Sequence, residues 1–428
     1  MRVLVTGASG FIGRAVAQAL LRQGHQVICV SRRPEPATGG EPLAADLAQV
    51  PSQAWWLPRL AGVDAVVNAV GILREQGGQT FRAIHTEAPI ELFEACAVAE
   101  VSMVVQISAL GADESAQSRY HLSKKAADDA LRRLPLRGAI VQPSLVYGES
   151  GASAQLFNLL AALPVLALPR RGAMLLQPVH LDDVVAGVLA LLERRPAGTD
   201  TIPFVGPRPL AMRDYLSQLR HTLRLGRRAL VVPLPEFLFR WGAAIASRLP
   251  GSFLDSETAG MLLRGSAAPS QAFERLLGRE PRPVGGFIAP DRAASLRTDA
   301  VLGVWVPALR LAIAFLWIWT GIVSLGLYPV QDSLALLGRV GLHGVLASFA
   351  LYGAAGLDML LGVLTLAAPA RLRPAVWAAQ LLLIGGYTVL ITLFLPEYWL
   401  HPYGPISKNL PLMAGICLAR ALEPRWTT

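Results

Sequence analysis

At 428 residues the chain exceeds what a single hydrophobic core organises, so it divides into at least two domains. Its 53% hydrophobic and 16% charged residues, with a mean hydropathy of +0.43, exclude an ordinary soluble protein, in which roughly 25% of residues are charged, and point to a membrane-embedded part. The net charge of +9 is scattered in arginine pairs such as Arg132 with Arg133 and Arg194 with Arg195, which excludes a nucleic-acid partner and suits anionic lipid.

From the first residue, short β-branched runs alternate with helical stretches. RVLVTG, HQVICVS, AVVNAVG, SMVVQISA and RGAIVQPS read as strands, with helices from Phe11, near Glu87 to Val98 and from Ser118 between them. That alternation predicts an α/β fold, a Rossmann-type doubly wound parallel sheet over residues 2–145. The opening run RVLV is too short for the core of a signal peptide, so this first domain is expected to stay in the cytoplasm. Within about 148–290, Pro-punctuated helices predict a small substrate lobe built on the sheet, and the Pro, Gly and charge content of 278–295 marks a boundary.

Four apolar stretches follow, at roughly 304–327, 340–367, 375–395 and 406–422. About 20 apolar residues cross a hydrocarbon core, so three are long enough and the fourth is marginal. Stretches such as LLLIGGYTVLITLFL are apolar on every face, unlike a soluble helix. Residues 300–425 are therefore expected to form an all-α four-helix transmembrane bundle in the inner, cytoplasmic membrane. Arg310, Arg371, Arg373, Arg420 and Arg425 fall on one side, which the positive-inside bias assigns to the cytoplasm, together with the C-terminus. Cys29, Cys96 and Cys417 share no CxxC spacing and read as free thiols, with no metal site.

The three glycines of GASGFIG close the first strand and open the first helix. Gly7 permits a tight turn, Gly10 lets a pyrophosphate approach and Gly13 lets helix pack closely on strand, while the helix N-terminus offers unpaired amides to the anion. At the end of the second strand Ser31, Arg32 and Arg33 stand where an acid would select NAD, so NADP(H) is preferred over NAD(H). Asp46 either meets the adenine edge or is a turn residue. The expected cofactor-binding set is Gly7, Ser9, Gly10, Phe11, Ile12, Gly13, Arg32, Arg33, Asp46, Ala69 and Lys124.

TGASGFIG, VDAVVNAVGI, VVQISALGA, YHLSK and QPSLVYG together resemble the extended or atypical short-chain dehydrogenase/reductases over residues 1–290. With QPVHLDDVV, the pattern is similar to the branch that includes the NADPH-binding accessory subunit of respiratory complex I. From about 300, the arginine-led first span and HPYGPISKN resemble the DoxX-like membrane family, whose members are tied to quinone-linked redox proteins. The resemblance implies a lipophilic substrate or quinone and a membrane redox partner.

Tyr120 and Lys124 stand four apart and share one helix face. A lysine ammonium beside a phenol favours the phenolate and can bind the nicotinamide ribose. Tyr120 then acts as general acid in reduction or base in oxidation, and Ser108, at a strand end twelve residues earlier, hydrogen-bonds the substrate oxygen. Two positions depart from the family pattern: His85 stands where an asparagine often supports a proton relay, and Gln142-Pro143 where Arg-Pro is common. His85 relays protons itself or is a hydrogen-bonded structural histidine. His180, Asp182 and Asp183 are expected to be structural, with a carboxylate fixing the turn before a helix. EFLFRWGAAIASRLP either lies on the membrane surface or buries its apolar side in the lobe. Asp358, deep in the second span, is a functional candidate or an internally paired group, and it is too far along the helix from His343 to touch it. His401, Lys408 and Asn409 form a quinone or headgroup pocket or anchor the interface. The reading is a membrane-anchored NADP(H)-dependent oxidoreductase acting on a lipophilic carbonyl, alcohol or quinone. The alternative is a non-catalytic NADPH-binding structural or assembly protein of a membrane redox complex.

Overall fold

Strand residues alternate between two faces, and the two faces of the sheet are lined accordingly. Val3 and Val5 join one buried cluster while Leu4 joins the other, and Val105 and Val104 part in the same way. A computed structural model describes residues 1–33, 39–226, 228–248 and 255–423, and the chain falls into two compact units, Met1–Ala300 and Val301–Thr428.

In the first unit seven parallel strands form the sheet: β1 (Arg2–Thr6), β2 (Gln26–Ser31), β3 (Glu41–Ala44), β4 (Ala65–Asn68), β5 (Met103–Ile107), β6 (Gly138–Pro143) and β7 (Thr199–Phe204), in the order β7-β6-β5-β4-β1-β2-β3. Helices α1 (Phe11–Arg22) and α4 (Leu181–Arg194) cover one face through Val16, Leu20, Val184 and Val188. Between them in the chain, α2 (Ala88–Val98) and α3 (Arg119–Arg133) cover the other through Leu92, Phe93, Ala127 and Leu131. Strand order reverses between β1 and β4, so their carboxyl ends open the crevice in which such sheets bind ligands. A third cluster, built on Tyr147, Phe157, Leu216 and Phe287, is the core of the lobe. The helix α5 (Glu236–Ala246) contributes no residue to that cluster, and Ala243 is its buried residue. The segment 278–295 is not a loose linker. Arg279 donates to Asp183 at 2.5 Å, the Arg282 amide donates to the same carboxylate at 2.7 Å, and Phe287 and Ile288 are buried in the lobe.

The second unit is helical: α6 (Ala293–Ile322), α7 (Gly344–Ala367), α8 (Arg373–Phe394) and the shorter α9 (Asn409–Leu422). The first three are long and apolar enough to span a membrane. The fourth, at 14 residues, extends about 21 Å, less than the ~30 Å hydrocarbon core. The lipid-side surface is apolar, with Val345, Phe349 and Leu382 each more than three-quarters exposed. Contact between helices instead relies on small residues. A Cβ on Gly362 would fall 2.5 Å from Ile318 Cγ1 and 3.0 Å from the Ala314 carbonyl oxygen, and one on Gly321 would fall 2.8 Å from the Ala355 oxygen. One end of the unit carries Arg310, which donates to the Thr365 carbonyl at 2.5 Å, and Arg373, paired with Glu423 at 3.3 Å; Arg339 pairs with Glu397 elsewhere. Arg425 lies outside the described residues.

Gly362→Leu is expected to destabilise the second unit by about 1–3 kcal/mol, because the added side chain meets backbone and a packed isoleucine. Gly356→Leu, which points into open space, is the control. Thermal unfolding of the full chain in detergent checks this: equal midpoints for the two variants would refute the close packing.

Candidate active site

The crevice begins at the glycine turn. Gly7 has φ +65°, and a Cβ there would lie 2.9 Å from the Ala69 oxygen; a Cβ on Gly13 would lie 2.3 Å from the Gly7 oxygen. Both glycines are thus imposed by the chain's own packing. Gly10 differs, being exposed, and it heads α1 without any side-chain cap. The amides at the start of α1, around Phe11 and Ile12, are left for an anion, and the turn fits a dinucleotide pyrophosphate. Ser9 accepts from Arg14 through its carbonyl at 3.0 Å. Arg32 and Arg33 are exposed at the end of β2 and form no ion pair among the described residues. Asp46 caps its own turn by accepting from the Ala48 amide at 3.1 Å, which favours the turn-residue alternative. Ala69 sits against Gly7 at the end of β4.

Across the crevice, α3 presents Tyr120, Lys124 and Asp128 at successive four-residue steps on one face. Lys124 is buried, and its ammonium donates to the Val70 and Ile107 carbonyls, both at 3.0 Å. Burial lowers its pKa, and the nearby Asp128 charge opposes that shift. Asp128 is fully buried, and burial raises its carboxyl pKa against the pull of its Ser108 hydrogen bond and of Lys124. Ser108, at the end of β5, donates to Asp128 at 2.5 Å.

The Tyr120 hydroxyl makes no hydrogen bond among the described residues. Its ring is held edge-on by Phe81 at 5.9 Å, His85 at 5.3 Å and His121 at 5.3 Å. Desolvation and the Asp128 charge push the phenol up to about 12. The structure therefore corrects one expectation. Lys124 is directed at two carbonyls and does not lower the phenol; here Tyr120 is held protonated, ready to donate. A second expectation also changes: Ser108 has its proton engaged by Asp128, leaving lone pairs to accept from a neighbouring hydroxyl.

His85 lies on a π-helical turn, Arg82–Glu87, which leads into α2. Its Nε2 accepts from the Ile72 amide at 2.9 Å, so Nδ1 carries the proton and faces Ser123 Oγ at 2.9 Å; Ser123 in turn donates to the Tyr120 carbonyl at 2.7 Å. Burial and the Lys124 charge lower His85 to about 2, so it stays neutral with both nitrogens engaged. This is the structural alternative rather than the relay. Gly71 leaves room for it, since a Cβ would meet Lys124 Nζ at 3.2 Å and His85 Nε2 at 3.6 Å.

A polar chain also crosses the strand ends: Thr6 donates to Asn68, and Asn68 to Gln106 at 2.6 Å. Sequence reasoning missed Asp128, Asn68 and Gln106. Only Asp128 left a signal, being eight residues from Tyr120 and so on its face, unlike the adjacent Asp129. Gln142 donates to the Ala112 carbonyl at 3.2 Å and is structural. His180, not a carboxylate, caps α4 through the Asp182 amide, while Asp183 holds residues 279–282. In the second unit, Asp358 is buried on α7, with Oδ1 unpartnered among the described residues. His343 precedes α7 as its N-cap residue, Asn409 donates to Thr388 at 2.8 Å, and His401 stacks on Tyr398. Lys408 is the residue before α9, at its N-cap position.

Residues 3–203 match the NAD dependent epimerase/dehydratase family, and residues 314–417 match the DoxX-like family. A ceramide reductase of Caulobacter vibrioides is 30% identical over 206 residues, 44% of this chain and 60% of that protein. Subunit 9 of the NADH dehydrogenase [ubiquinone] 1 alpha subcomplex of Mus musculus is 25% identical over 250 residues, 55% of this chain and 64% of that one. The matches thus cover less than two thirds of those relatives' own lengths. Among solved structures, a nucleoside-diphosphate-sugar epimerase from Staphylococcus aureus superposes with a TM-score of 0.54 at 16% identity, covering 67% of this chain and 99% of that one. A UDP-glucuronic acid 4-epimerase from Bacillus cereus, in complex with UDP-glucuronic acid and NAD, gives 0.50 at 19% identity, covering 71% and 100%. The chain joins an epimerase/dehydratase-type Rossmann domain to a DoxX-like domain with three long apolar helices.

The lowered pKa of His85 has a pH consequence. Above pH 6.5 the imidazole is neutral in both folded and unfolded states; as pH falls, only the unfolded state takes up the proton. This group alone removes about 1.4 kcal/mol of stability per pH unit below 6.5, down toward pH 2. Urea unfolding of the full chain between pH 7 and 4.5 is expected to show a shallower pH slope for His85→Gln than for the parent. Parallel slopes would show that His85 protonates in the folded state.

Proposed function

We propose that this chain is a membrane-anchored, nicotinamide-dependent reductase of a lipophilic carbonyl compound. Tyr120 carries the reading: a phenol with no internal partner, held protonated at the crevice beside a glycine turn that fits a dinucleotide. When bound, the cofactor supplies the hydride. Tyr120 donates its proton to the oxygen that becomes an alcohol. Lys124 keeps the loop at residues 70–72 in place and has a third N–H, beyond the two on Val70 and Ile107, for a ribose hydroxyl. Ser108, its proton held by Asp128, offers lone pairs to a hydroxyl of the bound substrate or of the alcohol product. The phenyl ring of Phe81 and the imidazoles of His85 and His121 pack around the Tyr120 ring and shield it from water.

The membrane-embedded second unit and the similarity to a ceramide reductase support a lipid carbonyl as substrate; a quinone is the alternative acceptor. Arg32 and Arg33, exposed at the end of β2, support NADPH over NADH. The arginines at 310, 371, 373 and 420 support a cytoplasmic first unit. A second reading, a nucleotide-binding structural subunit of a membrane redox complex, is favoured by the committed donors of Ser108 and Lys124 and by the similarity to a complex I subunit.

The full chain in nanodiscs, given NADPH and a panel of long-chain ketones, aldehydes and quinones, tests the choice. Turnover of a lipid carbonyl is expected, and Tyr120→Phe is expected to lower kcat by about 10²–10⁴-fold with NADPH affinity unchanged. If no member of the panel is reduced, and Tyr120→Phe fully complements a deletion strain that a Gly10→Asp variant does not, the structural reading replaces the catalytic one. Arg32→Ala is expected to weaken NADPH binding about tenfold, some 1.4 kcal/mol, with NADH unaffected. Fluorescence titration checks it, and an equal loss for both nucleotides would remove the 2′-phosphate assignment.

A further inference from the structure

The helix α5 is built inside out for a water-soluble lobe. Ala243 is its buried residue, whereas Phe237 is 70% exposed, Trp241 66%, Leu238 42% and Ile245 42%. At 100° per residue these four side chains occupy one continuous arc of about 100°, on the side of the helix opposite Ala243. Phe237, Leu238, Trp241 and Ile245 therefore face outward, while Phe239, half-buried, lies on the inward side with Ala243. Of the two alternatives the sequence left open for this stretch, the exposure of these four residues favours the membrane surface over burial in the lobe, for residues up to Arg248; Leu249 and Pro250 lie outside the described residues.

We propose that α5 inserts this face into the interfacial layer of the bilayer that holds the second unit. Lipid is the occupant for three reasons. The same chain carries three long apolar helices, so a bilayer is always tethered to the first unit at high effective concentration. Arg240 and Arg248 are exposed on the helix and its end, while the acid Glu236 is already paired with Arg170 at 2.6 Å, so the exposed charge is positive and complements anionic headgroups. A helix with Trp, Phe, Leu and Ile along one arc and arginine beside it has the composition of interfacial anchors.

The helix is also wired to the site. Arg74 donates to the Ser247 carbonyl at 3.0 Å and pairs with Asp255 at 3.2 Å. The next residue, Glu75, pairs at 2.6 Å with Arg119, the neighbour of Tyr120. Docked α5 brings the mouth of the crevice to the headgroup layer, where a lipid carbonyl enters without crossing water. This delivery role rests on the proposed lipid substrate; the docking itself does not.

The test uses the full chain with Cys417→Ser, labelled with a nitrobenzoxadiazole fluorophore at Ala244→Cys, or at Ser102→Cys as an exposed control, in nanodiscs containing headgroup-proximal spin-labelled lipid. Quenching several-fold above the control is expected at position 244, greater with anionic than with zwitterionic lipid. Phe237→Asp with Trp241→Asp is expected to return it to the control level while NADPH affinity stays unchanged. Quenching at the control level in both lipids overturns the proposal. So does a site 244 that is unquenched but cross-links to a second copy, since protein then covers the face. Docking without turnover would overturn the catalytic reading alone, and turnover without docking would overturn this one alone.

Discussion

The site depends on one buried ammonium. Lys124 reaches from α3 to the carbonyls of Val70 and Ile107, at the ends of two neighbouring strands, and so joins helix, sheet and the loop that backs the glycine turn. Hydrogen bonds to a charged group contribute about 1.5–3 kcal/mol each, and removing the lysine would strand two carbonyls in a dry crevice. His85 holds the same loop from the other side through the Ile72 amide. Between these two clamps sits Gly71, where a Cβ would crowd the Lys124 ammonium at 3.2 Å and touch His85 at 3.6 Å. The loop then presses on Gly7, which presses on Gly13, so the cofactor turn and the Tyr120 helix are parts of one packed unit.

Local environment then assigns roles to residues of similar chemistry. Asp128 and Asp129 are neighbours in sequence, yet one lies in the dry seam under Ser108 while the other pairs with Lys125 and Arg132 at the surface. The buried carboxylate holds the serine proton, and its charge adds to the desolvation that raises the phenol of Tyr120. Among the described residues the Tyr120 hydroxyl has no hydrogen-bond partner, as the proposed proton donation in reduction requires.

Two solvents shape the two units. In the first, strand faces sort their apolar residues onto two helical layers. In the second, large apolar side chains point outward, and helices meet where glycine allows backbone to approach backbone, at Gly321 and Gly362. Helix α5 belongs to the first unit but follows the rule of the second, with Phe237 and Trp241 turned outward.

How much of this was legible in the sequence follows from the range of each interaction. Strand alternation, the glycine turn, the four-residue step from Tyr120 to Lys124 and the long apolar stretches are local, and by itself the sequence determined the parallel sheet, the cradle and the membrane part. At the last apolar stretch, 406–422, composition says nothing of where the helix starts, and α9 begins at Asn409. What only the tertiary structure decided involves partners far apart in the chain. Lys124 was expected to serve a phenol four residues away, but carbonyls 17 and 54 residues distant captured it. Ser108 was expected to face substrate, but Asp128, 20 residues on, took its proton. The direction of α5 was equally undecided, because an amphipathic pattern specifies that a helix has two faces and not which of them the fold leaves outside. The physical reason is the same each time: burial makes an unpaired donor or charge costly, and which partner relieves that cost depends on what the fold brings near.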